Sequence, residues 1–332
     1  MNMDLKLSVL DQSPVIKGQT SSKTLQNTLD LACYAEGLGY HRFWLSEHHN
    51  TDGVIGSAPE IMIAHIANHT KKIKVGAGGI ILLNYSPLKV AEIFHVLESL
   101  HPGRIDLGMA KSSGANKKTA NILNPHLQDP KKEFIDKLNA INKFLDSTPK
   151  LSTEIKAMPI VESSPERWLL VSSIESAIIA AEFGMGVSFA HFINPTKGKE
   201  ALEIYRNNFK PSENLKNPKA SFGIFVFCSL DKDKIHRQQA MMDHRFIQLQ
   251  ETGNILPINF EDIKDIDYSD KDKLSIKYNR QLYICGTPEK VKKQLDSLIE
   301  DYKVDEIMLA TYAESIEDKK ESYKLIADLY NS

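Results

Sequence analysis

The chain has 332 residues, 42% of them hydrophobic, and its 41 basic and 43 acidic side chains leave a net charge of −2. That length supports a sizeable core and roughly one to three domains, and the balanced charge gives no basis for a nucleic-acid or anionic-membrane partner. Three widely separated cysteines, Cys33, Cys228 and Cys285, have no CxxC spacing, which argues against a disulfide framework or a metal centre and leaves them as small core residues.

In chain order, residues 1–14 lack a basic region followed by an apolar run, and no apolar stretch is long enough to span a bilayer, so a cytoplasmic chain is expected. β-rich runs then alternate with helical periodicity. "LKLSVLDQS" (5–13) reads as a strand, 23–38 as a helix stopped by Gly39, "RFWLSEH" (42–48) as a strand, and 58–70 as a helix with Pro59 in its first turn. "KIKVGAGGIILL" (72–83) is a strand interrupted by glycines, 87–103 a helix ended by Pro-Gly, and "RIDLGMA" (104–110) a strand. Residues 112–165 break the rhythm, with one good helix at 131–145, and read as an insertion. The alternation resumes with strands at 167–173, 186–192, 220–230 and 306–312, and helices at 176–184, 197–209, about 232–252, 287–302 and 315–330. Residues 253–281, irregular and rich in Asp and Lys, read as a second insertion. Eight strand–helix units without a break in composition predict one α/β domain over 1–332, a (β/α)8 TIM barrel with insertions after strands 4 and 7. A doubly wound sheet is the alternative, but the first strand is followed by "DQSPVIKG" rather than a glycine-rich phosphate turn.

In a parallel barrel the strand C-termini share one face, and sites are built there. "FWLSEHHNTDG" (43–53) places Glu47, His48 and His49 at that mouth, with Asp11, Gln12, Ser13, Asn84, Tyr85, Ala110, Lys111, Ser112, Ser113 and His191 as neighbours. Two histidines beside an acid suit acid–base chemistry or substrate contact, because imidazole gives or takes a proton near neutral pH. They also suit satisfaction of buried backbone groups, and no HExxH or paired spacing supports a metal. The glycines of "VGAGGIILLNYSP" (75–87) admit either a flat ligand against the backbone or a bulge that bends the barrel. "VSSIES" (171–176) opens a helix. Ser172 or Ser173 can cap it, and its free amides, with Ser176 and Lys111, can hold a phosphate.

These segments together resemble the bacterial luciferase-like flavin monooxygenase family. The resemblance runs through "LSVLDQSP", "LACYAEGLGYHRFWLSEHHN", the stretch from Ser57 to Ala110 including "HPGRIDLG", "WLLVSSIESAIIAAEFGMGVSFAHF" and "CGTPEKVKKQLDSLIEDYKVDEIML". It covers most of the chain outside 112–165 and 253–281. It implies a TIM barrel that binds reduced flavin mononucleotide (FMN) non-covalently and acts on dioxygen and a small organic substrate, with the flavin delivered by a separate reductase and the chain paired as a homodimer. By position, His48 matches the family's catalytic histidine, with Glu47 or His49 to orient it. Gly78-Gly79 matches a non-prolyl cis peptide beside the flavin ring, Ser172 and Ser173 the phosphate-binding pair, and Lys111 a phosphate-binding arginine. Departures cluster at the phosphate end. Met109-Ala110-Lys111 stands where relatives usually read leucine-glycine-arginine, and Val171 and Ile174 stand where glycine is frequent, while Leu83 replaces a frequent proline. The family also includes deazaflavin-dependent dehydrogenases and non-catalytic partner subunits.

Overall fold

The computed structural model describes residues 5–112, 114–146 and 155–330. Ser113 and the middle of the 112–165 segment therefore lie outside the described residues. In chain order the elements are β1 (Lys6–Asp11), α1 (Ser21–Gly37), β2 (Arg42–Leu45), α2 (Pro59–His69), β3 (Lys74–Ile81), α3 (Pro87–Leu100), β4 (Ile105–Ala110), α4 (Lys117–Leu123) and α5 (Pro130–Leu145). There follow β5 (Glu166–Val171), α6 (Ile174–Glu182), β6 (Gly186–Ala190), α7 (Gly198–Asn208), β7 (Ala220–Cys228), α8 (Lys232–Thr252), α9 (Asp270–Asn279), β8 (Tyr283–Gly286), α10 (Pro288–Tyr302), β9 (Glu306–Ala310) and α11 (Ile316–Tyr330).

Eight of the nine strands close a parallel (β/α)8 barrel. β1 to β6 pair in sequence order, β6 pairs with β7, β7 with β9, and β9 with β1. Strands buried on both faces explain the near-continuous apolar runs in the sequence. The remaining strand, β8, hangs on the far half of β7, pairing Phe225–Cys228 with Tyr283–Gly286. It lies in the stretch 282–286, which the sequence reading left unassigned because four residues are too short for a period to show. Two helices were also missed. α4 buries no residue and α9 buries only Asn279, so neither carries an apolar stripe; α9 is held instead by a capping box between Ser269 and Asp272. Cys228 and Cys285 are buried as expected, but Cys33 is exposed, because it falls on the outer face of α1.

Helix boundaries follow local chemistry. Thr20 caps α1, Asp129 caps α5 and Asp231 caps α8 through side-chain oxygens on free amides. Gly39 takes a φ of +82°, the left-handed geometry that lets the chain turn from α1 into β2. In β3 the register against β4 shifts between Ala77 and Ile80, so the bulge reading of the glycine strand holds. A Cβ on Gly79 would stand 2.8 Å from the Gly108 carbonyl, and one on Gly78 would stand 2.8 Å from Leu10. The Gly78–Gly79 peptide is cis, as the resemblance implies.

The N-terminal end of the barrel is plugged by charge. Arg42, fully buried at the start of β2, donates to Asp106 of β4 at 2.6 Å and to Glu306 of β9. Glu166 of β5 takes Lys219 at 2.7 Å and Lys74 at 3.3 Å, and Trp44 donates to Asp106 at 3.0 Å. The Arg42 guanidinium also lies 4.8 Å from the Trp168 ring centre. Burial works against each charge, but the neighbouring cations hold Glu166 down at about 2 and the carboxylates hold Arg42 above its usual range.

Candidate active site

A cavity of about 580 Å³ opens at the C-terminal end of the barrel. Gln12 after β1, His48 and His49 after β2, Phe192 and Ile193 after β6, Phe225 of β7 and Tyr312 after β9 line it. Its outer wall comes from Gly114, Ala115 and Asn116 before α4 and from residues 252–255 at the end of α8 and just beyond it. The loop after β2 is clamped between these two segments. His49 N–H donates to the Gly114 carbonyl at 2.9 Å, Asn50 donates to Thr119 at 2.9 Å, and a Cβ on Gly53 would meet the Ile255 carbonyl at 2.4 Å.

The Glu-His-His stretch divides its labour. Glu47 is buried and turns away from the cavity. Its carboxylate accepts from the Ile81 N–H at 2.8 Å, from Tyr85 at 2.9 Å, from Asn84 at 3.4 Å and pairs with His49 Nε2 at 2.7 Å. It ties β2 to the turn after β3, and burial beside it pushes the Tyr85 hydroxyl upward. His48 is bonded by neither Glu47 nor His49. Its Nδ1 lies 3.0 Å from the hydroxyl of Ser46, a residue the sequence reading did not single out. Burial, reinforced by the adjacent His49, lowers His48 to about 4, so it is a neutral imidazole at pH 7. With Nδ1 engaged by Ser46, Nε2 is the nitrogen without a protein partner among the described residues.

The other mouth candidates separate. Asp11 closes onto Lys319 of α11 at 2.6 Å and accepts from Thr28 of α1 at 3.0 Å, outside the cavity. His191 is locked between the Tyr302 hydroxyl at 2.7 Å and the Gln281 carbonyl at 2.9 Å and serves packing. Ser173 caps α6, accepting from Ser176 N–H at 3.3 Å and donating to Ser176 Oγ at 3.1 Å. Ser172 stays beside the cavity, because Asn194, next to the lining residues Phe192 and Ile193, donates to its carbonyl at 3.1 Å. The hydrogen-bonded ion pair from Lys131, with a smaller contribution from the charge of Lys111, holds the Glu175 carboxyl in the first turn of α6 below its usual range. Lys111, Ser172, Ser173 and Ser176 do not line the cavity itself. Among the described residues no group of three His, Cys, Asp or Glu side chains is placed to hold a metal, and no helix is long and apolar enough to cross a membrane.

The sequence pattern of the luciferase-like monooxygenases matches residues 3–306. The chain belongs to the luciferase-like monooxygenase family. Among its relatives, the uncharacterized protein YceB of Bacillus subtilis (strain 168) is 41% identical over 98% of this chain and 99% of its own. The N-acetyl-S-alkylcysteine monooxygenase of the same strain is 34% identical over 98% of each chain. The crystal structure of apo-MsnO8 superposes with a TM-score of 0.89 at 32% identity, covering 98% of both chains. Two more distant structures share the fold alone. One is the oxygenating constituent of 3,6-diketocamphane monooxygenase from Pseudomonas putida in complex with FMN, with a TM-score of 0.69, 17% identity and coverage of 98% of this chain and 97% of that one. The other is an F420-dependent secondary alcohol dehydrogenase, with a TM-score of 0.71, 12% identity and coverage of 99% and 100%. For a luciferase-like monooxygenase, the residues that sequence reasoning missed are Ser46, Tyr312, Met242, Arg245 and Phe246. The last three lie on one face of α8, and only the closed barrel shows that this face turns to the mouth.

Proposed function

We propose that this luciferase-like oxidoreductase is a monooxygenase that uses reduced FMN and dioxygen on a small organic substrate. The observation that carries the reading is the neutral His48, bonded by Ser46 and facing a cavity that both inserted segments enclose. The donors at the start of α6 suit a phosphate. Ser172 and the first amides of the helix offer hydrogen bonds, and Lys111 and Lys131 outnumber the Glu175 carboxylate by one charge. Gly78-Gly79 would back the ring, although both glycines are already required by Leu10 and Gly108.

When bound, reduced FMN supplies the two electrons with which one atom of dioxygen enters the substrate and the other leaves as water. The chain's own residues do the rest. Ser46 holds the imidazole of His48 in one orientation, and in the tautomer whose Nδ1–H donates to the Ser46 hydroxyl the neutral Nε2 accepts a proton from substrate. Val54, Phe225, Met242 and Phe246 give the cavity an apolar side from which a bound substrate would displace water, limiting loss of reactive species. Glu47 and His49 brace the loop rather than act on substrate. Delivery of flavin by a separate reductase, a cytoplasmic setting and a homodimer complete the reading. Ile61 on α2 and Leu100 on α3 are exposed apolar residues that such a dimer would cover.

Anaerobic titration with reduced FMN, in parallel with the reduced deazaflavin F420, tests the cofactor. FMN is expected to bind more tightly, and product formed under labelled dioxygen should carry one labelled atom. Tighter binding of F420 with oxygen-independent turnover would instead make the protein a dehydrogenase. A single monomeric boundary in sedimentation at micromolar concentration would remove the dimer.

A further inference from the structure

The geometry points to Arg245 as the anchor for a carboxylate on the organic substrate, so that the cavity takes small amphiphilic organic acids. This substrate class rests on the cavity being the substrate site of the monooxygenase reading. Arg245 lies on α8 and lines the cavity. Its Nε is buried and has no hydrogen-bond partner, and the side chain forms no ion pair among the described residues. It packs on the Tyr312 ring, whose centre lies 4.0 Å from the guanidinium carbon. The Tyr312 hydroxyl donates to Gln12 at 2.6 Å and, with burial pushing it up to about 12, supplies no counter-charge at neutral pH. Asp52, a carboxylate of the lining, bonds to Asn254 at 3.4 Å and is not paired with Arg245.

The two fully buried arginines of the barrel have acidic or amide partners, although the Arg167 Nε, like that of Arg245, has no hydrogen-bond partner. Arg42 meets Asp106 and Glu306, and Arg167 donates to Asp146 at 2.7 Å and Asn142 at 2.8 Å. Arg245 is half-buried, with its Nε out of water and no counter-charge beside it, an arrangement that costs free energy, and burial lowers its affinity for a proton. Its counter-charge is therefore expected from a ligand. The planar fork of arginine matches a carboxylate with two parallel hydrogen bonds. Beside polar lining residues such as Asp52, Asn116 and Asn254, the walls carry Val54, Phe225, Met242, Phe246 and Leu249, which fit a hydrocarbon or thioether tail. The phosphate of a nucleotide is the less suitable anion, since the donors assembled for it at the start of α6 lie off this lining.

The test is calorimetric titration of the protein, without and with saturating reduced FMN under nitrogen, using N-acetyl-S-butylcysteine and its uncharged primary amide as probes. Wild type is expected to bind the acid at least about tenfold tighter than the amide, and Arg245→Gln to bind both within about twofold of each other. Equal binding of the two probes by wild type overturns the anchor, as does a preference that survives in Arg245→Gln or absence of binding by both at millimolar concentration. Loss of FMN affinity in Arg245→Gln with unchanged probe selectivity would assign the residue to the flavin and also overturns it. Failure of FMN to bind wild type, with probe selectivity intact, would remove the monooxygenase reading and leave the anchor standing. A second readout needs no ligand. Arg245→Met is expected to raise the thermal midpoint, and a fall would mean that the guanidinium already has its partner within the protein.

Discussion

At the N-terminal end of the barrel, Arg42 is surrounded by Asp106, Glu306 and Glu166, and each of those carboxylates is met by a second donor. At the C-terminal end, Arg245 faces an aromatic ring and His48 is held neutral beside an open cavity. The lower end pairs its charges inside the protein, tying β2 to β4 and β9, with Asp106 Oδ1 left without a hydrogen bond. The upper end leaves valences unfilled, and those are the groups with which a ligand can bind. The contrast follows the usual division of a TIM barrel into a stabilising face and a reactive one.

Breaking the lower network should give the largest effect. Arg42→Met strands two buried carboxylates and is expected to cost about 3–5 kcal/mol in urea unfolding. Replacing Arg42, Asp106 and Glu306 together by apolar residues should cost less than Arg42→Met alone, and an equal or greater cost would show that the plug does more than cancel its own charges. At the mouth, His48→Gln is expected to keep the fold and lower turnover by about 100-fold or more. Ser46→Ala should give a smaller loss, and an Ala variant as active as wild type would remove Ser46 as the orienting group.

The pH response sharpens the contrast further. The folded-state value of His48 is about 4, against about 6.5 unfolded, so between these values the unfolded chain binds the extra proton. Its contribution to stability is complete above pH 6.5 and is lost as pH falls toward 4. The difference in unfolding free energy between wild type and His48→Gln should therefore change across that window, by at most about 3 kcal/mol. A constant difference would place the imidazole in solvent. The smallest effect is expected at the phosphate end, where Lys111→Arg should tighten FMN several-fold by restoring the bidentate fork. No change in affinity would mean that Lys111 does not touch the phosphate.

Much of the site was legible because it is local. His48 follows a strand directly, and any parallel barrel puts it at the mouth. The cap at Ser173 lies within three residues of the amide it binds. Glu47 shows the limit of this reasoning. Its type and place in "EHH" suggest a catalytic group, yet its carboxylate is filled by Ile81, Asn84 and Tyr85, 34 to 38 residues away in the chain. Arg245 shows the converse. Nothing near it in sequence marks it, since a lone arginine in a polar helix reads as a solvated side chain.

By itself the sequence determined the barrel, through eight apolar runs separated by helical periods, and it marked the glycine strand and the Glu-His-His stretch. It did so because period and capping are properties of neighbours along the chain. The tertiary structure decided which polar groups are answered and which are not. Strand closure brings Asp106, Glu166 and Glu306 onto Arg42 from three different strands, and it leaves Arg245 of α8 with no acid to meet among the described residues. Whether a buried charge is paired depends on contacts between distant segments, and those exist only once the barrel has closed.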